Sequence, residues 1–197
     1  RPMVFAGIFP DNGDEYSKLR DAMDRLKLND SALVFEPEHS PALGYGFRCG
    51  FLGMLHLEIL KERLSREFNM DLVVTLPSVA YHVFRNGKPE AHVIKSALDL
   101  PDPSFIDRVE EPWAKVDIIT RPDDIGGVMG LCQDRRGVYK NTEYLSEGRA
   151  VLHYELPLSQ IIVDFNDKLK SVSAGYASMG YEVFTYRDAD VVKMDIL

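Results

Sequence analysis

The sequence predicts an α+β protein made of two similar units, each with one antiparallel sheet and two helices. Both halves of the chain show the same succession of hydrophobic patterns: strand, helix, strand, strand, helix, strand. The chain has 197 residues, of which 45% are hydrophobic and 27% charged, so it is long enough to bury one sizeable core or two small ones. The same composition argues against a disordered, collagen-like or membrane-spanning protein.

The first half begins with a strand over residues 2–9, which are apolar and rich in strand formers, and with a turn at residues 10–13. Residues 31–36 and 44–50 predict a hairpin whose loop contains two prolines. Two amphipathic helices flank this hairpin. Their apolar faces are formed by Tyr16, Leu19, Met23 and Leu26 in the first helix and by Leu57, Leu60, Leu64 and Phe68 in the second.

An extended segment over residues 73–83, broken at Pro77, and a tight turn at Asn86–Gly87 end the first half. The second half begins with a strand over residues 112–120. A third helix follows, and Gly137 is its predicted C-terminal stop. The apolar face of this helix is formed by Ile125, Val128, Met129 and Cys132.

The second half then repeats the pattern of the first. Strands are predicted near residues 138–144 and 149–156, joined by a turn at residues 146–148. Two extended segments, residues 181–186 and 191–197, close the chain on either side of an acidic turn. Between these pairs lies a fourth helix, with its apolar side formed by Leu158, Ile161, Ile162, Phe165 and Leu169.

This order of elements is that of the ferredoxin-like split βαβ fold, so we expect two ferredoxin-like domains, at residues 1–87 and 110–197. Residues 88–109, with their prolines and mixed charge, are the predicted linker. The chain opens on Arg1–Pro2 without an initiator Met and closes on an amphipathic strand, so we expect a piece of a longer chain. The fold hosts many unrelated functions, and the architecture alone identifies none of them.

The charge balance limits the partners of the chain. Thirty-one acidic residues against 23 basic ones give a net charge of -8, which excludes a protein that coats nucleic acid through a broad positive field. Any nucleic-acid contact must therefore be local. Cys49 and Cys132 form no CxxC motif, so we expect a reducing, cytoplasmic compartment rather than a disulfide framework or a zinc site. The sequence contains neither a spanning apolar run nor a secretory signal.

The motifs of familiar active sites are absent from the sequence, which contains no GxxxxGK[ST], GxGxxG, GxSxG or HExxH. A DxxG pattern at residues 123–126 lacks an accompanying phosphate loop. An HxE pattern at residues 56–58 lacks the PCxxC of the zinc deaminases. We therefore do not expect this chain to be an enzyme by itself, and we predict no catalytic residue, metal site or cofactor site in it.

Positive charge is concentrated around Gly137, where Arg135, Arg136 and Lys140 flank the end of the third helix. Two interpretations are open. Cations at this position complement the helix dipole, and the same turn presents guanidinium groups that suit the phosphates of RNA. His56, near the start of the second helix, is likewise either packed within its domain or directed at a partner.

Three segments resemble the translational GTPases. Residues 44–71 (GYGFRCGFLGMLHLEILKERLSREFNMD) resemble their third domain, in which residues 53–58 stand in place of a GxGELHLE-like motif. Residues 110–137 resemble the start of their fifth domain, and residues 156–182 resemble the LepA (elongation factor 4) version of it. Elongation factor G inserts a further domain between the two modules, and its absence here favours LepA. Met54–Leu55 replaces the Gly-Glu pair of elongation factor G, so no contact of that Glu is carried over.

The resemblance implies a ribosome-dependent GTPase that acts on elongating ribosomes, with back-translocation, translation fidelity, initiation or ribosome assembly as its proposed roles. GTP and Mg²⁺ would bind in a GTPase domain outside this chain, and tRNA would be contacted by a C-terminal domain outside it. The first module would relay to the small subunit, and the second would lie near the GTPase-associated centre and the sarcin-ricin loop. The family resemblance implies a cytoplasmic monomer, with peripheral association at the inner face of the cell membrane also ascribed to the family.

The candidate contacts to ribosomal RNA are Arg135, Arg136 and Lys140 in the second module and Arg48 and His56 in the first. Two alternatives stay open. A tandem ferredoxin-like module would bind a small metabolite and act as a regulator. The equivalent region of a BipA-type GTPase has the same domain order, and the SVSAGYASMGYE segment favours LepA over it.

Overall fold

A computed structural model describes residues 2–96, 99–145 and 148–191 of the chain. These residues fall into two units that divide between Val79 and Ala80. Each unit is built on its own antiparallel sheet and carries helices that pack on that sheet. The predicted α+β class with two ferredoxin-like arrangements is confirmed.

The elements of the first unit are, in chain order, β1 (Val4–Pro10), α1 (Tyr16–Asn29), β2 (Val34–Ser40), β3 (Gly44–Phe51), α2 (Met54–Phe68), β4 (Leu72–Val74) and β5 (Ser78–Val79). The strand order is β2-β3-β1-β4, and the short β5 also pairs with β1. Strand β1 is buried at all seven of its positions. It is therefore the centre of this unit.

The two predicted amphipathic helices of the first unit bury the faces that their spacing predicts. On β3, the alternating residues Phe47, Cys49 and Phe51 are buried, and the ring of Phe47 stacks on Tyr16 of α1 at 5.3 Å between centroids. Burial of these apolar side chains is the main favourable term in folding this unit. The buried residues of the helices are Leu19, Ala22, Met23, Leu26, Leu57, Leu60 and Leu64.

The packing of β1 against β3 depends on glycine at two positions. The ring of Phe9, which is 1% exposed, lies against both Gly7 and Gly46. A Cβ atom on Gly7 would lie 2.7 Å from Cε2 of Phe9, and one on Gly46 would lie 2.8 Å from Cε1 of the same ring and 2.5 Å from the carbonyl oxygen of Ile8. The aromatic ring therefore occupies the space that side chains at these two positions would need.

The elements of the second unit are, in chain order, β6 (Tyr81–Arg85), β7 (Ala91–Ile94), β8 (Ile106–Thr120), α3 (Ile125–Asp134), β9 (Val138–Leu145), β10 (Arg149–Pro157), α4 (Leu158–Ile161), α5 (Phe165–Val172) and β11 (Ser178–Asp188). The strand order is β7-β6-β8-β10-β9, with β11 also paired to β8. The buried core between helices and sheet includes Ala114, Val116, Ile118, Val128, Leu131, Cys132, Leu152, Leu156, Ile161, Phe165 and Leu169.

The range 88–109, predicted as a linker, contributes two strands to the second unit. It contains β7 and the beginning of β8, and β6 pairs with both. Val83, Ile94 and Val109 form a small core of their own under this extension. The predicted domain bounds, 1–87 and 110–197, therefore differ from the two units of the structure. The physical reason is that the 15-residue β8 extends beyond the part that pairs with β10, and its first residues pair with β6 instead.

The fourth predicted helix is interrupted in the structure. Asp164 has a left-handed backbone with φ of 50°, and it separates α4 from α5. Aspartate tolerates this conformation better than most residues do. The break changes a single backbone position and leaves the apolar spacing intact, so the sequence pattern does not show it. The other difference is at the end of the chain, where β11 runs on to Asp188. Residues 192–197 of the predicted closing strand lie outside the described residues. So do residues 146–147 of the predicted turn at 146–148.

Replacement of Gly46 by alanine should destabilise the first unit, because the added methyl group overlaps a backbone oxygen of β1 that has no room to move. We expect the free energy of unfolding to fall by about 1–3 kcal/mol. Urea denaturation followed by far-UV circular dichroism measures this change. Gly13→Ala is the matched control, since a Cβ atom at that position meets nothing within 4 Å. Equal shifts of the midpoint in the two variants would contradict the packing argument.

Candidate functional site

Arg135 joins the end of α3 to the start of α5. Its Nη2 donates to Oδ1 of Asp164 at 2.5 Å, and Lys168 forms a second ion pair with the same carboxylate at 3.1 Å. Hydrogen bonds from Lys168 and Arg135 lower the pKa of Asp164. Only 16% of the Arg135 side chain is exposed. This guanidinium therefore helps to hold the helix break in place.

Arg136 binds the most buried of the carboxylates that pair with the candidate residues. Its Nη1 and Nη2 donate to the two carboxylate oxygens of Glu111 on β8 at 2.8 and 3.0 Å. The Glu111 side chain is 1% exposed, whereas 51% of the Arg136 side chain is exposed. The hydrogen bonds with Glu111 raise the pKa of Arg136. The guanidinium of Arg136 therefore binds a buried carboxylate with two of its nitrogens, and its other side faces solvent.

The backbone at the end of α3 differs from the predicted stop at Gly137. Arg136, not the glycine, takes the left-handed conformation, with φ of 60°. The N–H of Gly137 donates to the carbonyl oxygen of Cys132 at 2.8 Å, and a Cβ atom on Gly137 would lie 2.6 Å from that oxygen. Glycine is needed here for close approach. A left-handed backbone at a residue other than glycine costs about 1–2 kcal/mol, and Arg136 forms its pair with Glu111 from this conformation.

Lys140 belongs to a cluster of three charges on β9, β10 and β11. Its Nζ lies 3.0 Å from Oε2 of Glu155, and Nη2 of Arg187 donates to the same oxygen at 2.5 Å. Burial alone would raise the pKa of Glu155, but hydrogen bonds from Arg187 and Lys140 outweigh it and lower the pKa. The guanidinium of Arg187 also lies over the ring of Trp113, 4.4 Å from its centroid.

Arg48, in the first unit, is held inside the sheet layer. Its Nη2 donates to Oγ of Ser78 at 2.7 Å, and its Nη1 lies 3.8 Å from Oε1 of Glu38. The exposed fraction of the Arg48 side chain is 13%. This side chain therefore ties β3 to β5 and β2.

His56 links the start of α2 to the end of α1. Its Nδ1 accepts from the backbone N–H of Leu52 at 3.2 Å, so its Nε2–H donates to Oδ2 of Asp30 at 2.7 Å. Burial raises the pKa of Asp30, but hydrogen bonds from His56 and from the backbone N–H groups of Ala32 and Leu33 outweigh it, and the pKa is lowered. The imidazole also meets the ring of Phe51 edge to face, with centroids 5.4 Å apart.

The five candidates do not form one site. Each is bound to a carboxylate of its own unit, and the three around Gly137 point to three different partners. The partners were missed from the sequence because they lie far from the candidates along the chain and follow no periodic pattern. These carboxylates are Glu38, Asp30, Asp164, Glu111 and Glu155.

Among the residues that the structure describes, no group of three or more His, Cys, Asp or Glu side chains is arranged to hold a metal ion. In the same ranges, none of the helices combines the length and the apolar character needed to cross a membrane. Asp124, in the DxxG pattern, is instead bound by Arg121, whose Nε donates to its Oδ2 at 2.8 Å.

Comparison with known proteins defines the class of protein. Residues 108–197 match the family described as elongation factor G C-terminus. A crystal structure of a Thermus thermophilus protein aligns with 95% of this chain and 41% of its own, with a TM-score of 0.58 and 15% sequence identity. At that identity the likeness concerns the fold alone. The second unit is thus a module of the kind found in translation elongation factors.

Relatives matched along the whole chain make the assignment more specific. The chain is 51% identical to elongation factor 4 of Chlorobium phaeobacteroides, 53% to that of a Picosynechococcus species and 54% to that of Acetivibrio thermocellus. It covers 32%, 33% and 32% of those proteins, respectively, so it spans about one third of the length of the curated relatives it matches. The chain is a segment of the elongation factor 4 (LepA) family.

Arg136→Ala should destabilise the second unit by about 3 kcal/mol, because it leaves the buried carboxylate of Glu111 without its cation. The double variant Arg136→Ala with Glu111→Gln should recover part of this loss, since no buried charge remains. Chemical denaturation measures both. Arg25→Ala is the control, because that side chain is exposed and has no ion pair with a described residue. Purely additive losses in the double variant would show that the pair is not coupled.

The lowered pKa of Glu155 predicts an acid-sensitive contribution to stability. A carboxylate with a lowered pKa stabilises the fold above its ordinary value of 4.5, and the contribution is lost as the pH falls through the lowered pKa. The difference in unfolding free energy between the native chain and Glu155→Gln should therefore be largest at neutral pH and shrink in acid. Glu90→Gln, at an exposed position without an ion pair to a described residue, should show little difference throughout. A constant difference for Glu155→Gln would contradict the assignment.

Proposed function

We propose that this chain is the ribosome-binding middle region of a translational GTPase of the elongation factor 4 type. The observation that carries the proposal is the 50–54% identity to elongation factor 4 along the entire chain. The match of the second unit to the elongation factor G C-terminus family supports the same class. In this proposal the factor acts in the cytoplasm, on elongating ribosomes, in back-translocation, translation fidelity or ribosome assembly.

Hydrolysis of GTP belongs, in this proposal, to a GTPase domain outside the chain, where GTP and Mg²⁺ bind. The first unit relays between that domain and the small subunit. The second unit lies near the GTPase-associated centre of the large subunit, and tRNA is contacted by a further C-terminal domain. The chain itself contributes binding surfaces and contacts that fix their geometry, not catalytic groups.

Of the five candidate contact residues, Arg136 and Lys140 suit a direct contact with ribosomal RNA. About half of each side chain is exposed, 51% and 46% respectively. Arg135, Arg48 and His56 are between 13% and 16% exposed and are held by carboxylates. In the proposal these three fix the positions of their elements, and a phosphate would reach them only after their ion pairs had opened.

The chain should cosediment with bacterial ribosomes, and its affinity should fall as salt is raised, because phosphate contacts release counterions. Lys140→Ala should weaken binding and lower the slope of log affinity against log salt by about 1. This variant should stay folded, since Arg187 still pairs with Glu155. Lys61→Ala, at an exposed position on α2 without an ion pair to a described residue, is the charge-matched control.

Absence of ribosome binding by the native chain would contradict the proposed function. A rise of melting temperature with a small metabolite, together with no ribosome binding, would instead favour the tandem regulatory module. Binding with equal slopes for Lys140→Ala and Lys61→Ala would leave the ribosome as partner but remove Lys140 from the contact.

A further inference from the structure

A cleft lies beside the turn that joins β6 to β7 in the second unit. It has a volume of about 410 Å³ and is lined by Arg85, Asn86, Lys88, Pro101 and Phe105. This volume is within the range of about 300–1,000 Å³ that is usual for sites of small organic groups. The lining combines two cations, an amide, a proline and an aromatic ring. It lies in the part of the chain for which the sequence predicted a turn and a linker.

The cations of this cleft differ from the five candidates described above. Arg85 and Lys88 are both exposed, and neither forms an ion pair with any residue that the structure describes. A cation paired with a buried carboxylate binds phosphate less favourably, because it either gives up that partner or binds the phosphate close to a negative charge. Arg85 and Lys88 exchange only water for phosphate, so their charges are available to an anionic ligand.

The aromatic ring of the cleft is accessible to solvent. Phe105 is 63% exposed, so most of its ring surface is not used in packing. Unstacked bases of single-stranded RNA bind to exposed aromatic rings of this kind, while nearby cations neutralise the backbone. The ring and the two cations line one cleft, so a base and its flanking phosphates can be bound together.

The cleft is held in shape by hydrogen bonds. The backbone N–H of Asn86 donates to the carbonyl oxygen of Phe105 at 3.1 Å, and its Nδ2 donates to that of Ser104 at 2.9 Å. Asp102, which follows Pro101 in the chain, accepts hydrogen bonds from the N–H and the hydroxyl of Ser104 at 2.9 and 2.6 Å. The turn and the segment that carries Phe105 are therefore fixed to each other before any ligand binds, which lowers the entropic cost of binding.

We infer that this cleft binds one nucleotide of single-stranded RNA, with Phe105 stacked on the base and with Arg85 and Lys88 on the adjoining phosphates. The inference rests on the proposed function, which supplies RNA as the partner. It also fits the net charge of -8, because an acidic chain binds RNA through local sites, and cations without an ion pair are the most favourable for them.

Fluorescence anisotropy with a labelled twelve-nucleotide oligouridylate tests the cleft on the intact chain. Arg85→Ala with Lys88→Ala should lower the slope of log affinity against log salt by about 1.4, the value for two phosphates on a single strand. Phe105→Ala should weaken binding by about 5- to 150-fold with no change in slope, because stacking releases no counterions. Phe105→Tyr keeps a ring and should retain most of the affinity.

The matched control for charge is Arg25→Ala with Lys61→Ala. It removes two exposed cations of the first unit that have no ion pair with a described residue, and it should leave both affinity and slope unchanged. Equal losses in this control and in Arg85→Ala with Lys88→Ala would overturn the inference, since they would show a nonspecific charge effect. Melting temperatures equal to that of the native chain establish that the variants are folded.

Cosedimentation with ribosomes separates the inference from the function on which it rests. If the native chain binds both ribosomes and oligouridylate, and neither cleft variant changes this binding, the cleft assignment is overturned but the proposed function is not. If the cleft variants lose ribosome binding but the native chain does not bind oligouridylate, RNA is not the ligand of the cleft. The result would then indicate that the cleft binds an acidic protein surface. If the native chain binds neither, the proposed function fails and the cleft assignment fails with it.

Discussion

Each unit depends on the strand that pairs with the most others, β1 with β3, β4 and β5 in the first and β8 with β6, β10 and β11 in the second. Such a strand has its backbone groups satisfied by its neighbours, and its side chains must fit on both faces of the sheet. In β1 this is achieved by burying every residue and by placing Phe9 over glycines. In β8 it is achieved by alternation, with Val116 and Ile118 in the core and Lys115 and Asp117 exposed.

The second unit uses its charges mainly to hold secondary structure in place. Glu111 and Glu155 lie on β8 and β10 with little exposure, and a buried carboxylate is stable only with cations and hydrogen bonds around it. Arg136 covers the first, and Lys140 and Arg187 cover the second. The cations that look most suitable for phosphate in the sequence are thus those already used within the fold, whereas the cations of the β6–β7 cleft are not.

The fold was largely predictable, because apolar spacing reports directly which face of an element is buried. The helices with Leu19 and Leu57 in their apolar faces and the strands around them follow from this alone. The β6–β7 hairpin was not predicted as part of the second sheet, since its pairing with β8 is non-local and prolines separate the two. The left-handed Asp164 and Arg136 were missed for a related reason: a single backbone angle leaves no periodic signal. Ion-pair partners far apart in the chain leave none either.

Each unit contains one cysteine in its core, Cys49 in the first and Cys132 in the second. Burial raises the pKa of Cys132 to about 12, and burial together with the charge of Glu38 also raises the pKa of Cys49. Both thiols are fully buried, so alkylating reagents reach them only when the surrounding core opens. The chain therefore carries one natural reporter for each unit, and the rates at which the two thiols are modified give the separate opening equilibria of the two halves of the molecule.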